Sequence, residues 1–299
     1  GTWGHSNLHY MNGWYSGESK YTTIRAMHSY DGNICYCIEP GTPQDTGDRY
    51  TSKDETFWDN LPSDFNSTIS PYDMKLFIGR IMQYGYTGPI STSWRSQNAS
   101  DAETLALATQ VLIWETVVGE RDEDFNHISP GSYDAVKSVV STAHPLYSQF
   151  ISYYNSIEAS VQRHSAIPSF MAKTPGKAQN VELAWNGTNY TATLTDSNNV
   201  LSNYSFSANE DGISFSVSGN KLVITAATAP SDSVRITASK SGATRRGIIT
   251  WTDGRYAPGS GIQDVISYAQ EVNDPVQAFL NLKVSHGSAK IIKTSEDGK

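Results

Sequence analysis

Residues 100–119 read SDAETLALATQVLIWETVVG. This stretch predicts a helix, because Ser100 with Glu103 three positions later forms a capping box, and Gly119 is typical of the position after a helix end. Gln110 shares its helix face only with apolar residues, namely Ala106, Leu107, Ile113, Trp114 and Val117. The helix is therefore expected to bury a primary amide, which must find hydrogen-bond partners or cost about 1–3 kcal/mol.

Two cysteines lie on a short predicted strand nearer the start of the chain. Asn33–Ile38 follows the predicted strand Tyr21–His28 through a tight turn, and Cys35 and Cys37 stand two positions apart on it. That spacing turns both side chains to the same face and leaves their Cα atoms near the upper limit for a disulfide. We therefore expect no disulfide between them. On spacing alone, both thiols could be inert core groups, as free cysteines usually are.

Length and composition limit the class of protein. The 299 residues suit two domains and can bury a core without disulfide staples. Only 38% of the residues are hydrophobic and 17% are charged, a balance that favours a β-rich exported protein. The net charge of −8 and the lack of a basic cluster argue against nucleic-acid binding. No apolar run approaches the roughly 18 residues of a membrane helix, so we expect no membrane insertion.

The pattern of predicted elements changes in mid-chain and indicates an α+β fold in two domains. Residues 1–172 mix strands with helices, and residues 173–177 read as a linker. Residues 178–286 change to short strands of period two, which is typical of an antiparallel β-sandwich. Besides residues 100–119, the predicted helices are Pro71–Tyr84, Tyr133–Val140 and Leu146–Val161, and residues 42–69 are expected to be loop. The predicted strands of the second domain are Val181–Trp185, Tyr190–Leu194, Ile213–Val217, Leu222–Ala226, Val234–Ala238, Gly247–Trp251 and Ala278–Val284.

Two motifs in the first domain resemble a known family. One is the aromatic-Cys-aliphatic motif Tyr36-Cys37-Ile38, and the other is Thr109-Gln110-Val111-Leu112-Ile113-Trp114, which is similar to a Thr-Gln-x-Ala-aliphatic-Trp motif on a later helix. In this order, with the cysteine and the glutamine 73 positions apart, they resemble the thioester domains of Gram-positive surface adhesins and pilus tip proteins over about residues 1–170. Leu112 stands where the motif usually has Ala, and it points to a different helix face from Gln110.

The resemblance implies a reactive internal bond. In that family the cysteine sulfur and the glutamine side-chain carbonyl are joined as a thioester, which places the bond between Cys37 and Gln110. A lysine amine on a host surface or matrix protein attacks the carbonyl, releases the thiol and leaves a covalent amide. This is one turnover and not an enzyme cycle, and it implies no cofactor and no metal. The protein would be exported, anchored to the cell wall, and monomeric at the tip of a longer stalk.

Supporting groups are less specific than the two motifs. The thiolate is the attacking species, so a neighbour must lower the pKa of the thiol or take its proton. The candidates for this role are Glu39, Glu115, His127 and His28. The residues expected to form an apolar shell that keeps water from the bond are Tyr36, Leu107 and Trp114.

The last residues of the chain carry a second, shorter resemblance. Residues 287–299 look like the first strand and turn of a Cna-B or SpaA-type module that is cut short. A first-strand lysine often forms an isopeptide crosslink in such modules, and Lys293 is the nearest match. We expect this segment to belong to the stalk of a surface protein.

Two other functions stay open on the sequence. In the first, the chain is a non-covalent carbohydrate- or protein-binding module in which Cys37 and Gln110 are only core residues. In the second, Cys37 works with a histidine as a cysteine hydrolase or a transglutaminase-like enzyme. No histidine lies in a recognisable catalytic context, which disfavours the second function.

Overall fold

The structure is a computed structural model that describes residues 2–4, 9–13, 22–28, 32–43, 49–61, 68–90, 101–129, 142, 146–253 and 261–284, with the backbone alone at 2–4, 9–13, 22–28, 49 and 60. The chain divides into two compact units. The first unit contains Gly1–Ser165 and Ala243–Asp274, and the second contains Ala166–Gly242 and Pro275–Lys299. The chain therefore leaves the first unit after Ser165, returns at Ala243 and leaves again after Asp274.

The described residues form helices and strands in both units, which confirms the α+β class. In chain order, the elements are β1 (Thr2–Gly4), β2 (His9–Gly13), β3 (Thr22–His28), β4 (Ile34–Cys37), β5 (Arg49–Lys53), α1 (Pro71–Tyr84), α2 (Asp101–Val117), α3 (Tyr147–Ser165), β6 (Asn180–Trp185), β7 (Tyr190–Thr195), β8 (Ser205–Ala208), β9 (Ile213–Ser218), β10 (Lys221–Ala226), β11 (Val234–Lys240), β12 (Thr244–Thr252), β13 (Val265–Asn273) and β14 (Val276–Val284). Short 3₁₀ helices add Glu55–Asn60, Pro175–Lys177 and Leu201–Asn203.

A seven-stranded sheet carries the first unit. Its strand order is β1-β5-β12-β13-β4-β3-β2, and each described pair is antiparallel. Helix α1 packs on β12, and α2 contacts α1, α3 and β4. Buried residues of the three helices join those of β4, β12 and β13 in one core. As a result, β4 lies inside the sheet and beneath α2.

Helix α1 has the predicted bounds, and local sequence explains both ends. The Ser70 hydroxyl accepts the N–H of Asp73 at 3.1 Å, and Pro71 occupies the first turn, where its missing N–H costs nothing. Gly85 ends the helix against α2, because a Cβ at this position would collide with the Oγ1 atom of Thr109. The same hydroxyl accepts the N–H of Tyr86 at 3.0 Å.

Helix α2 is buried on nearly all sides. Every residue from Ala106 to Val117 is buried, as expected for a helix that is apolar around its circumference and packed between other elements. Gly119 follows it with a φ of 88°, which supports the predicted end. Helix α3 ends at Ser165, four residues beyond the predicted end. Within the described ranges, no helix combines the length and the apolar character needed to cross a membrane.

The second unit is a β-sandwich, as predicted, with one parallel contact. Its strand order is β8-β11-β14-β6-β7-β10-β9. Strand β6 joins the two halves, because its first residues pair in parallel with β14 and its last two residues pair antiparallel with β7. Buried side chains from both halves share one core, including Leu222, Ile224, Ile236, Leu280 and Leu282.

The structure corrects the predicted start of the second domain. We expected residues 1–172 in the first domain and residues 173–177 as a linker. Instead, residues 166–172 belong to the second unit, where Met171 enters the core and Ala172 exchanges two backbone hydrogen bonds with Phe279, at 3.0 and 2.8 Å. The predicted linker also lies within this unit and includes a 3₁₀ turn.

The predicted second domain, 178–286, also has to be divided. The predicted strand Gly247–Trp251 lies in β12, between β5 and β13 of the first sheet. Residues 243–274 therefore belong to the first unit. A strand of period two has the same sequence pattern in either sheet. Long-range pairing, which the pattern does not show, decides which sheet it joins. The predicted start of a further module at 287–299, with Lys293, lies outside the described residues.

Two further predictions concern the loop at residues 42–69 and a helix at residues 133–140. The expectation that residues 42–69 are loop is wrong in part, because the segment contains β5 and the 3₁₀ helix Glu55–Asn60. The segment is mostly polar, so its sequence did not indicate β5, a strand next to the edge of the sheet in which Tyr50 is fully buried. The predicted helix Tyr133–Val140 lies outside the described residues.

A buried ion network stabilises the end of β13. Asp274 accepts hydrogen bonds from the Arg80 guanidinium at 2.6 and 3.1 Å and lies 2.7 Å from Nε2 of His164. The Tyr84 hydroxyl lies 2.8 Å from the other ring nitrogen of His164. Burial alone would raise the pKa of Asp274, but the bonds to His164 and Arg80 outweigh it and hold this pKa well below its usual range.

Asp274→Asn is expected to destabilise the first unit by about 1–3 kcal/mol near neutral pH, because it removes the charge that Arg80 and His164 contact. A carboxyl group whose pKa is lower in the folded state than in the unfolded state stabilises the fold fully at pH values above the unfolded-state pKa, near 4. This contribution is lost progressively as the pH falls from there toward the folded-state pKa. The difference between the variant and the wild type should therefore shrink at about pH 3. Urea unfolding at both pH values measures it. Asp59→Asn, at an exposed position, is the control, and an equal difference at both pH values would contradict the prediction.

Candidate functional site

Cys37 ends β4, inside the first sheet. It stands opposite Val265 of β13, and on the other side of β4 Cys35 stands opposite Met27 of β3. All four residues of β4 are buried, and Cys37 is 3% exposed. The chain turns directly afterwards, where the N–H of Thr42 donates to the carbonyl of Glu39 at 3.1 Å. The sulfur therefore lies at the end of a strand, next to a turn, and out of contact with bulk water.

Gln110 reaches Cys37 with both polar atoms of its amide. Its Oε1 accepts the backbone N–H of Cys37 at 2.8 Å, and its Nε2 donates to the backbone carbonyl of Cys37 at 2.9 Å. Gln110 is 1% exposed. The two residues whose sequence motifs suggest a common site are thus paired in space, and the buried amide has the partners that its burial requires.

The thiol of Cys37 lies in an environment that disfavours its charged form. The backbone N–H of Glu39 donates to Sγ at 3.3 Å, and the indole N–H of Trp114 approaches the same sulfur in a geometry too loose for a regular hydrogen bond. Burial dominates over these two donors, and the charges of Glu39 and Asp264 act in the same direction as burial. Together they raise the pKa of Cys37 to about 12. The free thiol is therefore protonated at neutral pH.

The three residues predicted to form an apolar shell lie in the same buried core as Cys37. Tyr36, Leu107 and Trp114 are 1%, 4% and 8% exposed. The Tyr36 hydroxyl donates to the carbonyl of Tyr86, which joins β4 to the segment after α1. Burial raises the pKa of Tyr36 well above its usual value, so its hydroxyl is a neutral donor. These three side chains give Cys37 and Gln110 surroundings that are dry and apolar on this side.

Two buried carboxyl groups lie near Cys37, one predicted and one not. Glu39 was a predicted assisting group, and its Oε2 accepts the backbone N–H of Asp264. The carbonyl of Asp264 in turn accepts the N–H of Ile38 at 3.2 Å. Burial, followed by the charges of Glu39 and Asp253, raises the pKa of Asp264 to about 8. Asp264 is therefore mainly protonated at neutral pH.

Sequence reasoning missed Asp264 because it assigned this part of the chain to the second domain. Asp264 directly precedes β13, which was not among the predicted strands. The signal was present, since an acidic residue stands before the apolar start of the run Val265–Asn273. Only the pairing of β13 with β4 brings that residue to Cys37.

The other predicted assisting groups with described side chains lie in a separate network. Glu115 accepts hydrogen bonds from Arg121 at 2.7 Å and from the Tyr154 hydroxyl at 2.8 Å, and His127 lies 4.0 Å from its Oε1. On α2, Glu115 faces a different direction from Gln110, because five residues correspond to about 140° of helix rotation. The structure therefore brings Glu39 to Cys37 but groups Glu115 with His127 elsewhere. The side chain of His28 is not among those described.

Glu115, Glu120 and His127 have the spacing of metal ligands, with ligand atoms within 4.8 Å of one another. The guanidinium of Arg121 already binds Glu115 through Nε and Nη2. A metal cation would have to compete with this buried positive charge, so the group is better described as part of an ion network.

Cys35 offers an internal comparison with Cys37. Both cysteines are buried, and neither is part of a disulfide in the structure. Cys35 packs with Tyr50, Trp251 and Val265 in a small cluster, whereas Cys37 belongs to the main core beneath α2. No hydrogen bond between Gln110 and Cys35 is seen among the described residues. The geometry thus distinguishes two cysteines that sequence spacing placed on one face.

Comparison with known proteins gives one family match. Residues 34–159 match the family model of the thioester domain (TED). Among solved structures, the thioester domain of the Staphylococcus aureus TIE protein aligns with 19% identity and a TM-score of 0.39, over 95% of this chain and 99% of that one. The Bacillus anthracis TIE protein aligns with 10% identity and a TM-score of 0.35, over 94% of this chain and 49% of that one.

A third solved structure, the thioester domain of the Enterococcus faecium TIE86 protein, aligns with 13% identity and a TM-score of 0.32, over 94% of this chain and 92% of that one. These TM-scores are too low to carry an argument, and the family match is limited to residues 34–159. No curated protein matches the chain.

Proposed function

Since residues 34–159 match the thioester domain family, we propose that Cys37 and Gln110 join as an internal thioester through which the protein attaches covalently to an amine on another protein. The observation that carries this proposal is the two-point contact between the Gln110 amide and the backbone of Cys37, at 2.8 and 2.9 Å, in a buried site. A buried glutamine needs hydrogen-bond partners in any case, and here both partners are backbone groups of the residue whose sulfur the thioester would use. The range of the family match, residues 34–159, includes both residues of this pair.

The contact favours bond formation in two ways. A thiol and an amide hardly react in water, but groups held in contact gain effective molarities of up to roughly 10⁵–10⁸ M. As Sγ attacks Cδ of Gln110, negative charge develops on Oε1, which already accepts the N–H of Cys37. The C–N bond then breaks, and Nε2 leaves as ammonia.

The buried shell explains how the bond would be protected. Burial leaves water little access to the bond. In addition, the site raises the pKa of Cys37 to about 12, which makes the thiolate a poor leaving group for water to displace. A docked amine must therefore open the site and find a proton for the sulfur. Of the predicted assisting groups, Glu39 is the one beside Cys37, because its backbone N–H contacts Sγ and its carboxylate charge acts on the thiol, and we expect it to exchange that proton.

The biological setting follows from the family and stays a proposal. We expect the amine to be a lysine on a host surface or matrix protein. The protein would act as an adhesin outside a Gram-positive cell, attached to the cell wall. Each molecule would react once, because aminolysis consumes the thioester.

Intact mass under denaturing conditions tests the proposal. Untreated protein is expected to be lighter than its sequence by one ammonia, and to show one titratable thiol, that of Cys35, instead of two. Methylamine should add one equivalent of its mass and expose the second thiol. Gln110→Ala is the matched variant, and it should keep the full mass and both thiols. A full sequence mass with two thiols in fresh wild-type protein would overturn the proposal and favour a non-covalent binding module.

A further inference from the structure

Three buried carboxyl groups are linked electrostatically to the Cys37 site: the charges of Glu39 and Asp264 act on the thiol, and the charge of Asp253 acts on Asp264. Glu39, Asp253 and Asp264 are 6%, 3% and 4% exposed. Carboxylates that share a dry site cannot all ionise cheaply, so one of them retains a proton. Asp264 is that group, since burial and the charges of the other two raise its pKa to about 8.

Short backbone contacts fix Asp264 relative to the sulfur. Its N–H donates to Oε2 of Glu39, and the N–H of Glu39 donates to Sγ of Cys37 at 3.3 Å. Its carbonyl accepts the N–H of Ile38 at 3.2 Å. The turn after β4 and the start of β13 are thus tied together at Ile38 and Glu39, and Glu39 contacts both Asp264 and the sulfur of Cys37.

One carboxyl oxygen of Asp264 is buried without a hydrogen bond to the described residues. Its Oδ2 is buried and makes no hydrogen bond to any residue that the structure describes. A carboxyl group that serves only packing or a turn normally has both oxygens satisfied, because an unsatisfied buried polar atom is costly. An oxygen that must gain and lose a proton cannot be held by a permanent hydrogen-bond donor, and such a role accounts for the missing hydrogen bond.

On the basis of the proposed thioester, we propose that Asp264 forms with Glu39 a carboxyl pair that holds one proton and transfers it during formation and opening of the bond. As Sγ bonds to Cδ of Gln110, the thiol proton passes to Glu39. The pair gives one proton to Nε2 as the C–N bond breaks, and ammonia leaves. The pair ends with the proton count it began with. In the reverse direction, the attacking amine loses a proton to the pair, and the pair protonates the departing sulfur of Cys37.

In this arrangement Asp264 is a positioning residue that acts through Glu39. While Asp264 keeps its proton, Glu39 is the charged member and can accept the proton of the thiol. Once Asp264 is also ionised, the pocket carries an additional negative charge and formation of the thiolate becomes harder. Both steps should therefore slow when the pH rises high enough to remove the shared proton.

Ring closure of the thioester can be timed with the full chain. Ammonia opens the thioester and regenerates the original Cys37 and Gln110, and transfer to ammonia-free buffer allows closure, followed as the loss of one ammonia by mass. In the wild type, the closure rate is expected to fall as the pH rises through about 8. Asp264→Asn should lack the fall near pH 8, because the asparagine amide cannot ionise and add a negative charge to the pocket.

Asp253→Asn provides the matched variant. It removes a charge that raises the pKa of Asp264, so closure should stay fast while the fall in rate moves to lower pH. A residue with only a structural role would slow closure without moving or removing this pH step. If Asp264→Asn does not fold, the shift in Asp253→Asn decides.

The outcomes separate this inference from the proposed function. Wild-type protein that never loses ammonia would overturn the thioester itself. A wild type that closes, together with Asp264→Asn that closes equally fast with the same pH step, would overturn the role of Asp264 alone. An Asp253→Asn profile that matches the wild type would also overturn it.

Discussion

Cys37→Ala is expected to abolish covalent capture of amines, while Cys35→Ala leaves capture unchanged. Only Cys37 is bound by the amide of Gln110, at 2.8 and 2.9 Å. Without its sulfur no acyl group can be stored, and Gln110 becomes an ordinary amide that does not react with amines in water. The effect should be complete and not graded, because among the described residues no hydrogen bond joins the Gln110 amide to the other cysteine.

Cys35 makes an unusually close control. It lies on the same strand, is equally buried and is likewise not part of a disulfide. Each variant would be incubated with a fluorescent primary amine and separated on a denaturing gel, with thermal unfolding to confirm that both remain folded. Labelling that survives in Cys37→Ala, or disappears in Cys35→Ala, would contradict the assignment.

Arg121→Met is expected to produce the largest loss of stability, about 3–5 kcal/mol in the free energy of unfolding of the first unit. The Arg121 side chain is fully buried and bonds to Glu115 at 2.7 Å, to the hydroxyl of Tyr154 at 2.7 Å and to the carbonyl of Phe125 at 2.9 Å. Methionine fills part of the space but leaves the Glu115 carboxylate in the core without its cation. Denaturant unfolding measures the loss.

The pH dependence of Arg121→Met should reveal its cause. Burial raises the pKa of Glu115 even with Arg121 present, and the loss of the cation should raise it further. A raised folded-state pKa for a carboxyl group favours the protonated fold, so the deficit should grow as the pH rises above the unfolded value and shrink in acid. Glu115→Leu combined with Arg121→Met should recover most of the stability. A double variant as unstable as the single one would contradict this explanation.

Local signals made the helices of the first unit readable from the sequence. Ser70, Pro71 and Gly85 mark the ends of α1, and the apolar spacing of α2 shows that Gln110 is buried. These features depend on residues a few positions apart. The partner of Gln110 lies 73 residues away, so its identity came from the resemblance of two motifs and not from periodicity.

Long-range pairing lay beyond the sequence reasoning. The residues of β12 alternate like those of the second unit's strands, and nothing within Gly247–Trp251 indicates that it pairs with β5 and β13. The same limitation hid Asp264, which reaches Glu39 across 225 positions. Glu115 and His127 were plausible by residue type, but helix rotation and the burial of Arg121 place them in another network.

The discontinuous first unit has a consequence for anyone who wishes to transplant the reactive site. A fragment cut after residue 172 would keep both motifs but lose β12 and β13. Strand β4 would then become an open sheet edge with unpaired backbone groups, a form that invites aggregation. A portable version would need residues 166–242 replaced by a short connection from Ser165 to Ala243, with the chain retained to Asp274.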